Sequence, residues 1–198
     1  MAPLTPPQNR TRHHPGLLAT AALLVAWAVS PAAWAGEAEA AEISQQQVEA
    51  AYLYKFGGYV TWPDTAFAAP DSPIVIGVAG ADSVADNLAA LVAGRSIGSR
   101  PVVVKRIHSE EQLAGVHILF IGAPGAAQSS SLFESSRTHP ILVVTEGKDG
   151  LAEGGAVSFV VVDDRVRFDV SLDAVQANGL KLSSQLLSVA HVVKGDGQ

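Results

Sequence analysis

The stretch Ile74-Val75-Ile76-Gly77-Val78-Ala79 decides the fold, because a near-continuous run of apolar, mostly β-branched residues predicts a strand that is buried on both faces. Segments of helix length separate it from three further runs of the same kind, Val102 to Ile107, Ile118 to Ile121 and Ile141 to Thr145. Buried strands that alternate with helices are typical of a parallel sheet covered on both sides. We therefore predict a three-layer α/β sandwich.

Two more strand-like runs follow, Val157 to Val162 and Val166 to Leu172, and Asp163-Asp164 joins them. So short a connection fits a hairpin better than a helical crossover. The second run alternates apolar and polar residues, which predicts one buried face and one polar face. The expected sheet has about six strands, mostly parallel, with an antiparallel hairpin at its end.

The segment after this hairpin is expected to be mainly helical. Asp173 suits the N-cap of a short helix that ends near Ala177, and Gly179 can adopt the left-handed conformation that closes a helix. Asn178-Gly179 is also a strong hairpin-turn signal, so a turn between strands is the alternative. The apolar residues beyond it stand at helical spacing and predict a terminal helix: Leu182, Leu186, Val189 or Ala190, and Val193.

Residues 1–35 have the pattern of a cleavable export signal. They contain two arginines, no acidic residue and a 13-residue apolar run from Leu17 to Val29, shorter than the roughly 20 residues that cross a bilayer as a helix. The small-residue frame that ends at Ala35 suits cleavage before Gly36. An uncleaved membrane anchor is the alternative. The signal predicts an exported protein located in the periplasm.

The remaining chain is expected to comprise a disordered lead-in, residues 36–41, and one domain, residues 42–198. This mature part carries 11 basic and 19 acidic residues, a formal charge of −8, which gives no electrostatic basis for binding nucleic acid or an anionic membrane face. The chain has no cysteine, so disulfides, thiol redox control and cysteine nucleophiles are excluded.

The residues offer no convincing catalytic or cofactor site. Gly94-Arg95-Ser96-Ile97-Gly98 matches a hydrolase nucleophile pattern, but here a predicted helix precedes the serine and a strand follows it, the reverse of what that motif requires. An exported hydrolase using Ser96 is the weakest alternative. The histidines beyond the signal lack the spacing of metal ligands on one helix face, and they are His108, His117, His139 and His191. We predict no enzyme activity, metal or cofactor.

Two groups of residues are candidates for contact with a partner or ligand. Aromatic residues concentrate around the first predicted helix, and the aromatic candidates are Tyr52, Phe56, Tyr59 and Trp62. The apolar stripe of this helix runs through Val48, Tyr52 and Phe56, and Glu49 lies off the stripe. Forked guanidinium groups can hold an anion or a partner's carboxylate, and the arginine candidates are Arg95, Arg100, Arg165 and Arg167. Core packing and a solvated, ion-paired surface are the respective alternatives.

Taken together, these segments resemble the YfiR-like family of periplasmic proteins. The helix Val48 to Phe56, with Val60-Thr61-Trp62-Pro63 after it, is similar to the first helix of that family. Further matching segments follow in the same order over essentially the whole mature chain: Ile76 to Val78, His117 to Ile121, Gly154 to Phe159, Val166 to Leu172 and Gly179 to Leu187.

The resemblance implies a Rossmann-like sandwich without known catalysis that binds and restrains the periplasmic sensor region of an inner-membrane diguanylate cyclase, and so lowers cyclic di-GMP output. Two positions depart from the family. Val116-His117 stands where members often have a cysteine, so redox control is not carried over, and Ser171 stands where asparagine is common.

The sequence also admits other functions and partners. One alternative is a small-ligand-binding sensory module that feeds a histidine kinase or a transporter. Its pocket would lie at the carboxyl ends of the parallel strands, near Gly80, Gly122 and Thr145. A sensor kinase in place of the cyclase, and a second copy of this chain, are further candidate partners.

Overall fold

The structure is a computed structural model, and it describes residues 44–122 and 127–195. The predicted export signal, the cleavage site at Ala35 and Gly36, and the lead-in therefore lie outside the described residues.

The described residues form five α-helices and ten β-strands, besides two short 3-10 helices at Asp64–Ala66 and Glu110–Leu113. The helices are α1 (Gln45–Phe56), α2 (Asp82–Val92), α3 (Ala127–Ser136), α4 (Leu172–Ala177) and α5 (Ser184–Leu187). The strands are β1 (Val60–Thr61), β2 (Ile74–Ala79), β3 (Ser96–Ile97), β4 (Arg100–Arg106), β5 (Ile118–Ile121), β6 (Leu142–Glu146), β7 (Val157–Val162), β8 (Arg165–Ser171), β9 (Lys181–Leu182) and β10 (Val192–Lys194).

Eight of these strands form one mixed sheet in the order β10-β8-β7-β6-β5-β2-β4-β3. The pairs from β4 to β7 are parallel, β8 is antiparallel to β7, and β10 is parallel to β8. The predicted fold class is confirmed, and so is the hairpin: Asp163 and Asp164 both have positive φ, 49° and 57°, as a tight primed turn requires. The sheet has two strands more than expected, β3 and β10.

Each face of the sheet carries its own apolar core. On one side α1 and α2 supply Leu53, Phe56 and Leu88, which pack with Phe120 of β5 and the neighbouring strands. On the other side Leu132 and Phe133 of α3 pack over β5 and β6. Because helices cover both faces, β5 and β6 are buried almost throughout, and the three-layer arrangement follows.

Helix α1 begins at a capping box. The hydroxyl of Ser44 accepts a hydrogen bond from the backbone N–H of Gln47 (3.3 Å), and the side chain of Gln47 accepts one from the N–H of Ser44 (3.0 Å). The buried residues of the helix are Glu49, Ala50, Leu53 and Phe56. The predicted stripe is correct at Phe56 but wrong by about one residue in the first part of the helix, where Glu49 is buried and Val48 and Tyr52 are half-buried.

The predicted terminal helix is wrong. Helix α5 is one turn long, Leu182 lies in β9, and Val193 lies in the strand β10. Backbone pairing explains the difference, because β10 satisfies the outer edge of β8 while β9 pairs with β1. The helix break before them is confirmed, with Gly179 at φ +69°.

The predicted N-cap of α4 also differs. Ser171, rather than Asp173, caps α4, because its hydroxyl accepts the N–H of Ala174 at 3.3 Å. Asp82 is the first residue of α2 and makes no cap. It pairs instead with Arg106, at 3.3 Å between the carboxylate and Nε.

Candidate functional site

The C-terminal segment is hydrogen-bonded to the end of α1. Val60 pairs with Leu182 in an antiparallel two-stranded sheet, and the N–H of Ser183 donates to the carbonyl of Tyr59 at 2.9 Å. This pairing places α5 beside the last turn of α1. It leaves a small cavity of about 160 Å³ between them.

We call this cavity and its rim the aromatic groove, and its defining residues are Tyr52, Lys55, Phe56, Tyr59, Leu186 and Val189. The ring of Tyr52 packs edge-on against Phe168 of β8, 5.4 Å between centroids. Phe56 is fully buried and forms the floor of the groove, whereas Tyr52 and Tyr59 are half-buried. Val189 is 58% exposed. The groove thus presents apolar and aromatic surface to solvent beside the cation of Lys55.

Trp62 and Arg100 lie elsewhere, at the loop that leads into β2. The indole N–H of Trp62 donates to the carbonyl of His117 (3.3 Å). The guanidinium of Arg100 lies 3.6 Å from the ring centroid of Phe67 and donates to the carbonyls of Ala69 (3.0 Å) and Ser72 (2.8 Å). Both side chains hold this loop in place, and we call this cluster the loop anchor.

His117 is the centre of the loop anchor. Its Nδ1 accepts the N–H of Val75 (3.1 Å), and its Nε2 lies 3.1 Å from the carbonyl of Ala66, so Nε2 carries the proton. Burial lowers the pKa of His117, the hydrogen bond to Ala66 opposes that shift, and the nearby charge of Arg100 adds to it. The imidazole is therefore neutral and structural, with two backbone partners.

The other arginine candidates have separate surroundings. The guanidinium of Arg95 lies 6.0 Å from the ring centroid of Tyr54. Arg165 lines a cavity of about 590 Å³ beside the N-terminus of α1, and Arg167 is exposed on the same strand. The structure therefore does not gather the arginine candidates into one anion site.

A pair of carboxyl groups near that cavity was not found from the sequence. Glu49 is 1% exposed, and the amide nitrogen of Gln45 donates both to Glu49 (2.8 Å) and to Glu146 at the end of β6 (3.0 Å). Burial raises the pKa of Glu49 from 4.5 to about 7, the hydrogen bond from Gln45 opposes this, and the charge of Glu146 adds to it.

The edge of the sheet near Gly80 and Gly122 is closely packed. Gly80 has φ +69°, and a Cβ at this position would lie 2.8 Å from the carbonyl oxygen of Gly122. Thr145 is fully buried, and its hydroxyl donates to that of Ser158 at 3.0 Å. Ser96, the residue of the hydrolase-like motif, lies in the short hairpin of β3 and β4 and not on a strand-to-helix turn.

Comparison with known families decides the class of protein. The profile of the YfiR/HmsC-like family matches residues 46–191, which run from the first turn of α1 to the residue before β10. The chain belongs to the YfiR/HmsC-like family. This family is one of periplasmic regulators, regulatory rather than catalytic, and membership supports a periplasmic regulatory role.

A solved structure has the same fold. A conserved domain protein from Vibrio cholerae O1 biovar El Tor superposes with a TM-score of 0.52 at 11% sequence identity, and the match covers 76% of this chain and 60% of that one. The YfiR/HmsC-like chain thus spans about 60% of that protein's length. A search of curated proteins returns no match.

Two properties of the described residues bear on membrane and metal binding. Within residues 44–122 and 127–195, no helix has the length and apolar character needed to cross a membrane. The same part of the chain contains no cluster of three or more His, Asp or Glu residues arranged to hold a metal ion.

Proposed function

We propose that this protein binds and restrains the periplasmic region of an inner-membrane signalling protein, a diguanylate cyclase, and so lowers its cyclic di-GMP output. The observation that carries the proposal is the aromatic groove. It offers half-buried Tyr52 and Tyr59 beside exposed Val189 and the cation of Lys55, and tyrosines with apolar neighbours are typical of the residues that dominate protein interfaces. Membership of a family of periplasmic regulators supports the same role.

The groove suits a regulator because its walls are held in place while α1 is packed on the sheet. The backbone pairing of β1 with β9 and the packing of Tyr52 on Phe168 hold both sides in place, so little conformational entropy is lost on binding. A bound regulator shifts the equilibrium of its partner only through unequal affinity for the partner's two states. We infer that the groove binds the inactive state of the cyclase more tightly.

The substitution Val189→Asp tests this proposal, because it places a charge in the groove at a position whose exposure limits the effect on folding. We expect the variant to lose at least about tenfold in affinity for the partner and to raise cyclic di-GMP toward the level of a deletion strain. Val103→Asp is the matched control, since Val103 is an exposed valine (44%) on β4.

The readouts are capture of partners from solubilised membranes and measurement of cyclic di-GMP in cells. Unchanged cyclic di-GMP on deletion, together with capture of neither a cyclase nor a sensor kinase, would contradict the proposal. Capture of only a second copy of this chain would indicate a homodimer instead.

A small-ligand-binding sensory module is the second candidate function, and the cavity of about 590 Å³ beside α1 favours it. This cavity lies at the carboxyl edge of β7, where α/β sheets commonly bind ligands, and Arg165 lines it. Such a module would feed a histidine kinase or a transporter. A thermal-shift screen with anionic metabolites tests it, because bound ligand raises the melting temperature in the parent and not in Arg165→Ala.

A further inference from the structure

The side-chain amide of Gln45 joins α1 to the sheet and also bonds the buried carboxyl group of Glu49 on the same helix. Gln45 donates from one nitrogen to Glu49, 2.8 Å away on the same helix, and to Glu146, 3.0 Å away at the end of β6. With one carboxyl protonated, this arrangement places a single negative charge beside two amide hydrogens. With both ionised, two negative charges share one donor group in a site where Glu49 is almost completely excluded from water.

Among the described residues that line the adjoining cavity, Lys148 is the one cation that could offset a second charge. The adjoining cavity, about 260 Å³, is lined on the sides of β7 and β8 by apolar residues, and among its described lining residues the charged groups are Glu49, Glu146 and Lys148. Helix α2, the other neighbour of α1, supplies none of these described residues. The next charged groups, Asp164 and Arg165, line the larger cavity beyond Gln45.

Packed aromatic rings connect the pair Glu49 and Glu146 to the aromatic groove. Phe159 of β7 lines the cavity of Glu49, and its ring lies 5.9 Å from those of both Tyr52 and Phe56. Tyr52 follows Glu49 by three residues, so the two side chains lie near each other on one side of α1. Any movement of this part of α1 away from the sheet therefore moves a wall of the groove.

We propose that Glu49 is a proton-operated control of the aromatic groove: protonated Glu49 holds α1 against β6 and β7 in the binding position, and its ionisation loosens the first half of α1 and weakens partner binding. The effect on α1 is inferred from the burial and contacts of Glu49, whereas the effect on the partner rests on the proposed function. The raised pKa of Glu49, about 7, places the change between mildly acidic and mildly alkaline pH.

Hydrogen exchange of the purified protein between pH 6 and pH 8 tests the effect on α1. After correction for intrinsic exchange rates, we expect protection of the amides of residues 48–53 to fall by up to about tenfold in the parent, because opening becomes up to tenfold more favourable per pH unit below the raised pKa of about 7 and levels off above it. In Glu49→Gln, which mimics the protonated form, protection should change by less than about twofold. The proposal would be overturned if protection in the parent did not change with pH, or if protection in Glu49→Gln fell as much as in the parent.

Two further variants make the test specific. Glu146→Gln should reduce the loss of protection, because ionised Glu49 then has no like charge beside it; an undiminished loss would overturn the role of the pair. Glu153→Gln removes an exposed carboxylate and should behave like the parent, and loss of the pH response in this control would equally count against Glu49.

Capture of membrane partners at pH 6 and pH 8 separates this inference from the proposed function. Weaker capture at pH 8 in the parent, with pH-independent capture in Glu49→Gln, is the expected result. If α1 loosens but neither pH recovers a cyclase or kinase, the proposed function fails and the effect of Glu49 on α1 stands. If capture is equal at both pH values while α1 loosens, control of the groove fails and the proposed function stands.

Discussion

The rings of His117 and Phe67 stack with centroids 4.4 Å apart and planes 16° from parallel, so the imidazole just before β5 packs against the loop that precedes β2. His117 is neutral in this position because burial lowers its pKa. Below about pH 6.5 the unfolded chain takes up a proton at this residue while the folded chain does not. Stability therefore falls as the pH falls from 6.5 toward the lowered pKa of the folded state.

We expect His117→Gln to flatten this part of the stability profile. The parent should lose at most about 1.4 kcal/mol per pH unit from His117 as the pH falls, and the variant, whose side chain does not titrate, should lack this contribution. Urea unfolding between pH 5 and pH 8 measures it. The contribution of Glu49 to the pH dependence has the opposite sign, because its raised pKa makes stability fall as the pH rises through about 7. The test therefore compares the slope of unfolding free energy against pH in the variant with that in the parent. An equal change of slope in His139→Gln, at an exposed histidine, would contradict the assignment.

The connection between β6 and β7 contains Gly150, where the lack of a side chain matters rather than a positive φ. A Cβ at Gly150 would lie 2.0 Å from the Thr145 hydroxyl oxygen and 2.5 Å from that of Ser158, two groups that are hydrogen-bonded to each other. We expect Gly150→Ala to lower the free energy of unfolding by about 1–3 kcal/mol. Gly58→Ala is the control, because its Cβ would meet nothing closer than 3.5 Å; similar losses in both variants would show that the hydroxyl pair is not responsible.

Much of the sheet could be predicted from sequence for a specific physical reason. Strands buried on both faces require continuous apolar runs, so β2 and β5 have the predicted bounds. The three-residue strand β10 is too short to carry a pattern of its own, and it forms because β8, more than twenty residues earlier, offers an unpaired edge.

The carboxyl pair was not predictable for a related reason. Near the start of α1 the sequence admits two neighbouring helical faces, one through Val48 and Tyr52 and one through Glu49 and Leu53. The hydrogen bond to Glu49 comes from the nearby Gln45, but the like charge beside it, Glu146, lies 101 residues away from that glutamine. Local periodicity carries no information on such a contact.

The hairpin between β7 and β8 contains two aspartates in the left-handed region, Asp163 at φ 49° and Asp164 at φ 57°. This conformation is unfavourable for residues with a Cβ, and asparagine followed by glycine is the preferred pair. We expect Asp163→Asn with Asp164→Gly to raise the free energy of unfolding by about 0.5–1 kcal/mol, measured by urea unfolding. The variant with asparagine at both positions removes the same charges, so an equal gain there would assign the effect to charge rather than to backbone conformation.

Phe56 and Tyr59 occupy neighbouring positions in the aromatic groove but should behave differently on substitution. Phe56 is fully buried and packs edge-on against Phe168, 5.2 Å between centroids, so Phe56→Leu should lower the free energy of unfolding by about 1–2 kcal/mol. Since its side chain does not reach solvent, affinity for the partner per folded molecule should stay within about twofold of the parent.

Half-buried Tyr59 offers surface to a partner, so Tyr59→Ala should weaken capture by about tenfold or more, with a smaller effect on stability than its effect on binding. Binding titrations at matched fractions of folded protein, checked by circular dichroism, separate the two quantities. If Phe56→Leu and Tyr59→Ala lose affinity in proportion to their loss of stability, the groove contributes to folding rather than to recognition, and the partner must bind another surface of the domain.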